Sequence, residues 1–246
     1  MFNEVFSKFH NIKDFYYSSN NTEEEFLDFV IACNRKIIAK PITGFSGIGI
    51  HIPDVSTDQK ALDVYFRYKE NADFFFEEQF IQSGALAEVN PAAVNTIRIF
   101  TLYDGKDVHI MFTGIRFGSG KSCVDNIHDG GFVCEVDKET GIIVNSGYDL
   151  TGNKYNYHPV THKLLLGIQI PQWDKIKLLV KEAALVCPRI GHMAWDIAVS
   201  NDKICFIEVN EQGNFDLPQT ACQRGYKKDY IDIIKRMNKN GNEAKD

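Results

Sequence analysis

Trp195-Asp196-Ile197-Ala198 and Ile207-Glu208-Val209-Asn210 are the two stretches whose reading decides the fold. Both lie in apolar, β-favouring runs, His192 to Val199 and Lys203 to Val209, separated by the turn-forming Ser200-Asn201-Asp202-Lys203. Side chains alternate faces along a strand, so Glu208 and Asn210 share a face. Asp196 joins them if the hairpin pairs even residues with even, which a loop with an odd number of residues gives. That register sets two carboxylates and an amide oxygen side by side, hard donors suited to Mg²⁺ rather than to zinc or copper. Two ordinary half-buried strands with wet polar residues on one face fit the same residues, so the rest of the chain has to decide.

At 246 residues the chain can form one large domain or two small ones. Its hydrophobic fraction of 44% and aromatic fraction of 12% exclude a disordered chain. No apolar run approaches the roughly 20 residues of a membrane-spanning helix, and the N-terminus lacks the basic-then-apolar layout of a signal peptide, so a cytoplasmic protein is expected. The cysteines (Cys33, Cys123, Cys134, Cys187, Cys205, Cys222) include no Cys-x-x-Cys pair and read as small reduced core residues. A net charge of −6 argues against a nucleic-acid backbone as partner, whereas a nucleotide needs only a local positive site.

From the N-terminus, a capping box of Thr22 and Glu25 opens a helix with Phe26, Phe29, Val30 and Cys33 on one face. A short strand, Arg35 to Pro41, ends in Lys40-Pro41 and leads into Ile42-Thr43-Gly44-Phe45-Ser46-Gly47-Ile48-Gly49. Such a backbone can offer N–H groups to an anion with Lys40 at its entrance; a hairpin turn with a solvated lysine fits as well. Thr57 to Lys69 predicts a helix with Ala61, Leu62, Tyr65 and Phe66 buried. Asp73 to Ile81 is an apolar strand carrying Glu77-Glu78. Asn95–Tyr103 and Asp107–Gly118 form a hairpin around Asp104-Gly105 that contains Arg98 and Arg116, each needing an anionic partner if buried. After a polar loop holding Asp125 to Gly131 and a turn at Lys138–Gly141, a loop to Gln169 is expected. A helix opened by Pro171 follows, with Ile176, Leu179, Val180 and Ala183 inward, and a last helix runs to about Met237.

This order of Lys-Pro strand, glycine loop, helix, Glu-Glu strand, arginine-bearing sheet, Asp strand and Glu-x-Asn strand resembles the ATP-grasp superfamily. Val94-Asn95-Thr96-Ile97-Arg98, the run Asp125 to Gly131 and Trp195-Asp196-Ile197-Ala198 look like its sugar-transfer-associated branch, related to α-L-glutamate ligases. The resemblance covers roughly Asn3 to Ile234. It implies an α+β ATP-grasp fold: residues 1–84 as an N-terminal remnant plus lid subdomain, residues 85–246 as the C-terminal subdomain with the metal site, and ATP between them.

The resemblance also implies roles. Lys40 would meet the α- and β-phosphates of ATP under a loop of Gly44, Ser46, Gly47 and Gly49. Glu78 would accept from the adenine amino group, with the Ile81 backbone at the ring edge. Asp196, Glu208 and Asn210 would hold Mg²⁺, Arg98 and Arg116 would stabilise the transferred phosphoryl group, and Asn126 and His128 would line the acceptor side. The implied activity is a carboxylate–amine ligase working through an acyl phosphate, in surface polysaccharide biosynthesis, on small-molecule or glycan-linked carboxylates and amines. The alternatives are a kinase with a hydroxyl acceptor and a nucleotide-binding module without catalysis. Only about 20 residues precede the first capped helix, so most of the N-terminal domain usual in the superfamily is expected to be missing. A partner chain could supply it, with Lys8 and Lys13 as stand-ins for its ATP-facing lysine.

Overall fold

A computed structural model describes residues 2–17, 20–43, 47–69, 73–120, 125–211 and 213–243 of the chain. In chain order the elements are α1 (Phe2–Val5), β1 (Asp14–Tyr16), α2 (Glu23–Ala32), β2 (Ile37–Pro41), α3 (Asp58–Lys69), β3 (Phe74–Glu78), α4 (Ala85–Val89), β4 (Ile97–Tyr103), β5 (Val108–Phe117), β6 (Phe132–Glu135), β7 (Gly147–Tyr148), β8 (Lys154–Tyr155), α5 (Trp173–Ala184), β9 (His192–Val199), β10 (Ile204–Asn210), α6 (Asp216–Cys222) and α7 (Lys227–Glu243). They form two compact units: Ile12–Ile81, and Met1–Asn11 together with Gln82–Asp246.

In the smaller unit, α2 begins where the sequence says it must. The Glu25 amide donates to the Thr22 hydroxyl and the Thr22 amide donates to the Glu25 carboxylate, satisfying two N–H groups that the helix itself cannot. Strands β1, β3 and β2 pair antiparallel in that order. Alternation puts Phe15, Ile37, Ala39 and Phe76 on the face that packs with Phe26, Phe29 and Val30 of α2. Tyr16, Ile38, Lys40, Phe75 and Glu77 fall on the other face by register. Helix α3 buries Ala61, Val64 and Tyr65, while Phe66 is 48% exposed. The expected stripe was therefore one helical line off: residues 61 and 65 face inward with the 64–68 line beside them rather than the 62–66 line. Tyr68 completes that side by packing edge-on against Phe74 and Phe76.

The larger unit is a seven-stranded antiparallel sheet in the order β10-β9-β4-β5-β6-β7-β8. One face carries Ile97, Ile99, Trp195 and Ile197 into a core with Ile176 and Val180 of α5. The opposite face carries Phe100, Phe112 and Ala194 against Leu217 of α6 and Tyr226 and Ile233 at α7. Strands β7 and β8 lie inside the stretch expected to be a loop; two residues each are too short to show an alternation. The expected single C-terminal helix is two, broken where Gln223 turns left-handed at φ 50°.

The two long hairpins share a device. Ser200, Asn201, Asp202 and Lys203 make an even loop between the paired Val199 and Ile204, so the hairpin starts with odd residues facing even ones. Ile207 is then an extra residue in a bulge, after which Glu208 pairs with Asp196 and Asn210 with Ala194. The expected register therefore holds at the site, but a bulge creates it and not an odd loop. The β4–β5 hairpin also slips by one residue, between Phe100 and Thr101 on one side and Phe112 and Ile110 on the other. Beyond it, Arg98 pairs with Gly114 on β5 and with Asp196 on β9.

Candidate active site

Four strands thus bring Gly114, Arg98, Asp196 and Glu208 into one row across the larger sheet. Thr96, Arg116 and Asn210 fall on the same face by alternation. Asp196 is 2% exposed, and a bare buried carboxylate would cost several kcal/mol. Two guanidiniums offset that cost. Arg98 grips Asp196 with a two-pronged fork, Nε on Oδ1 and Nη2 on Oδ2, the latter at 2.8 Å. Arg116 Nη2 reaches Oδ2 at 3.2 Å. Burial works against the Arg116 charge, and Asp125, Asp196 and Glu208 more than offset it, holding its pKa above the usual guanidinium value.

Asp125 completes the group. Its Oδ1 lies 3.3 Å from Arg116 Nη2, and its Oδ2 accepts from the Thr96 amide at 2.7 Å and the Thr96 hydroxyl at 2.5 Å. Burial pushes its carboxyl above the usual range, against the lowering pull of Arg116 and Thr96. Neither Thr96 nor Asp125 was predicted as a site residue. Both lie in the quoted runs, Thr96 immediately before β4 and Asp125 beside Asn126, but spacing alone cannot show that residues 96 and 125 meet.

Glu208 is exposed on the edge strand β10 and Asn210 half-exposed two residues on. Among the described residues no three His, Cys, Asp or Glu side chains converge as a metal centre. The donor set is two carboxylates and an amide, all oxygen, with one carboxylate already partly neutralised by arginine; that composition fits Mg²⁺ and not zinc. The Asn126 side-chain Oδ1 caps the short turn Ile127–Asp129 by accepting from the His128 amide at 3.1 Å, and His128 is exposed. Asn126 and His128 follow Asp125 closely in the chain, on the loop that leads to β6. An open groove of about 950 Å³ in this unit runs along Val108–Thr113, α5 and Arg224–Ile233. It includes none of Arg98, Arg116, Asp196 and Glu208, and Arg224–Asp229 and Lys177–Asp174 form ion pairs along it.

In the smaller unit, Lys40 on β2 makes an ion pair with Glu77 on β3, whose carboxylate is buried. The strand pairing explains it: Lys40 opposes Phe75 and Ile38 opposes Glu77, so the two charges are diagonal neighbours on one face. Glu78 is instead held by Lys13, whose ammonium and amide both meet its Oε2, at 3.4 and 3.3 Å. Lys8 pairs with Glu182 in the larger unit. Ile81 is 53% exposed. Gly47 and Gly49 have φ of 74° and 83°, and a Cβ on Gly49 would come within 2.9 Å of Pro41. Gly44 and Ser46 lie outside the described residues.

A model of the family described as sugar-transfer associated ATP-grasp matches residues 7–235. Among solved structures, the chain is similar to the ATP-grasp ligase PsnB complexed with precursor peptide PsnA2 and AMPPNP, at 13% identity and a TM-score of 0.52, over 96% of this chain and 57% of that one. It is also similar to carboxyaminoimidazole ribonucleotide synthase from Aspergillus clavatus complexed with ATP, at 9% identity and a TM-score of 0.51, over 91% of this chain and 50% of that one. At such identities the likeness is one of fold. The chain spans a little over half the length of the first solved structures it matches. No curated protein matches it in sequence.

Proposed function

The chain belongs to the sugar-transfer associated ATP-grasp family, and on that premise we propose that it is an ATP- and Mg²⁺-dependent carboxylate–amine ligase acting through an acyl phosphate in surface polysaccharide biosynthesis. The observation that carries the reading is the pairing of Asp196 with Glu208 across β9 and β10. The two carboxylates stand directly opposite one another, Asp196 already partly neutralised by Arg98 and Arg116, and together they offer hard oxygen donors on one face that a divalent cation would join. Bound by Asp196, Glu208 and Asn210, Mg²⁺ would neutralise charge on the β- and γ-phosphates.

The remaining roles belong to the chain's own residues. Arg98 and Arg116 stabilise charge on the phosphoryl group in flight, and a guanidinium suits this because it keeps its proton; Asp196 holds Arg98 by a two-pronged contact and Arg116 by a single bond. In the smaller unit, Lys40 with the amides of Gly47 and Gly49 takes the α- and β-phosphates. Gly44 and Ser46 belong to the same loop in this reading, and Glu78 and the Ile81 backbone take adenine. Asn126 and His128 take the acceptor. The γ-phosphoryl passes to a substrate carboxylate with ADP as leaving group. An amine then attacks the acyl carbon, forming the amide and expelling phosphate, so no protein nucleophile is required.

Incubation with ATP, Mg²⁺ and panels of carboxylates and amines, small or glycan-linked, tests this. Phosphate release that requires one of each supports the ligase. Phosphate left on a hydroxyl acceptor would replace it with a kinase, and no turnover with bound nucleotide would leave a binding module.

A further inference from the structure

The two arginines of the larger sheet are held differently. Arg98 has a fork on Asp196, which fixes both the position and the plane of its guanidinium. Arg116 has only one bond to Asp196, and at 3.2 Å that bond leaves its plane free to turn. Its orientation comes from the other side. Arg116 Nε and Nη2 both donate to Thr96 Oγ1, at 3.0 and 2.6 Å. With its oxygen occupied in this way, the Thr96 hydroxyl directs its own proton to Asp125 Oδ2. The Thr96 amide donates to the same oxygen, so Asp125 also ties the hydroxyl to the start of β4.

Asp125 is in turn fixed by its loop. The Gly131 amide closes back on the Asn126 carbonyl at 3.1 Å. A Cβ at Gly131 would meet that oxygen at 2.7 Å and the Phe117 carbonyl at 2.9 Å, so the loop can lie this close to β5 only with glycine there. Thr96 itself follows Asn95, which is fully buried and donates through Nδ2 to Gln82 Oε1 at 2.8 Å and to the Leu86 and Asn90 carbonyls.

We propose that Thr96 and Asp125 are positioning residues for Arg116, fixing the plane and reach of its guanidinium for the phosphoryl-transfer step. This rests on the ligase reading above. A long cationic side chain gains catalytic value only when its orientation is set before charge develops. A merely structural pair would stabilise the fold equally well with Arg116 in any rotamer that kept the charges close.

The test compares wild type with Thr96→Val, which removes the hydroxyl at nearly constant shape, with Thr96→Ser, which keeps it, and with Asp125→Asn. Two affinities are measured for each: Mg²⁺–AMPPNP as the ground state, and Mg²⁺–ADP with aluminium fluoride as a mimic of the transferring phosphoryl group. Thr96→Val and Asp125→Asn should lose about 100-fold for the mimic while AMPPNP affinity stays within about threefold, and Thr96→Ser should recover the mimic. Equal affinities in Thr96→Val and wild type, or equal losses for both ligands, would overturn the proposal.

A second readout needs no nucleotide. The Arg116 Nε–H resonance, assigned by its disappearance in Arg116→Lys, should exchange slowly with water in wild type and Thr96→Ser and quickly in Thr96→Val. Unchanged exchange in Thr96→Val would overturn the anchoring directly. A wild type that binds neither nucleotide would sink the ligase reading, and the exchange rates would then decide the anchor alone.

Discussion

The two units each hold a buried ion pair, and the pairs differ in kind. In the smaller unit a lysine meets a carboxylate, Lys40 on Glu77. In the larger unit a carboxylate, Asp196, meets two guanidiniums, with Thr96 and Asp125 bracing the second. If its partner is lost, a buried carboxylate can neutralise by taking up a proton; a guanidinium cannot shed one. The lysine pair can therefore be broken and repaired by protons, which would suit the exchange of Glu77 for a phosphate proposed for Lys40. The arginine centre can be broken only at full cost, which suits a fixed electrostatic frame.

The largest expected effect breaks the frame. Asp196→Ala leaves Arg98 and Arg116 facing each other without their shared anion, and should cost about 3–5 kcal/mol of stability, read from the urea midpoint. The loss should persist at every pH where the fold survives. A change below about 1 kcal/mol would mean that solvent reaches the arginines freely.

Lys40→Met should cost less, about 1–3 kcal/mol at pH 7, and should show the contrast in its pH dependence. Without the ammonium, burial raises the Glu77 pKa above its unfolded value. A group raised in this way stabilises fully below the unfolded pKa and loses that contribution as pH rises through the folded one. The variant's deficit should thus shrink as pH falls from 7 toward 5. A deficit independent of pH would erase the distinction between the two pairs.

The smallest effect is a background that both comparisons must be corrected for. His158 and His192 have pKa values lowered by burial. Burial keeps the His158 ring neutral, against the opposite pull of the Gly118 carbonyl that accepts from Nε2–H at 3.0 Å, while Nδ1 accepts from the Thr161 amide. Folded pKa values below unfolded ones give stability that is complete above the unfolded pKa and lost as pH falls toward the folded ones. Wild-type stability should therefore decline modestly below about pH 6.5, and His158→Gln should flatten part of that slope. An unchanged slope would remove His158 from the account.

Much of this was legible in the sequence because it rests on short-range rules. The Thr22–Glu25 box, the Asp104-Gly105 hairpin and the alternation of Glu208 and Asn210 each follow from neighbouring residues. The face of Asp196 relative to Glu208 was predicted correctly from the wrong cause, since an even loop plus the extra Ile207 gives the same parity as an odd loop. A bulge in an apolar run leaves no mark in composition, so sequence cannot separate the two. The same limit hid Asp125: its partners are 9 and 29 residues away at Arg116 and Thr96, in a contact that only the folded sheet creates. Which of the adjacent Glu77 and Glu78 meets Lys40 is likewise invisible until the register of β2 and β3 is known.

The most direct test of the account is calorimetry of AMPPNP binding, with and without Mg²⁺, on wild type and Glu208→Ala. Glu208 is exposed and outside the arginine fork, so its loss should move the melting temperature by no more than about 2 °C. Binding should depend on Mg²⁺ in wild type and be lost in a fully folded Glu208→Ala. Equal Mg²⁺-dependent binding in the two proteins would contradict the metal site at β9 and β10, and no binding in either would contradict nucleotide chemistry altogether.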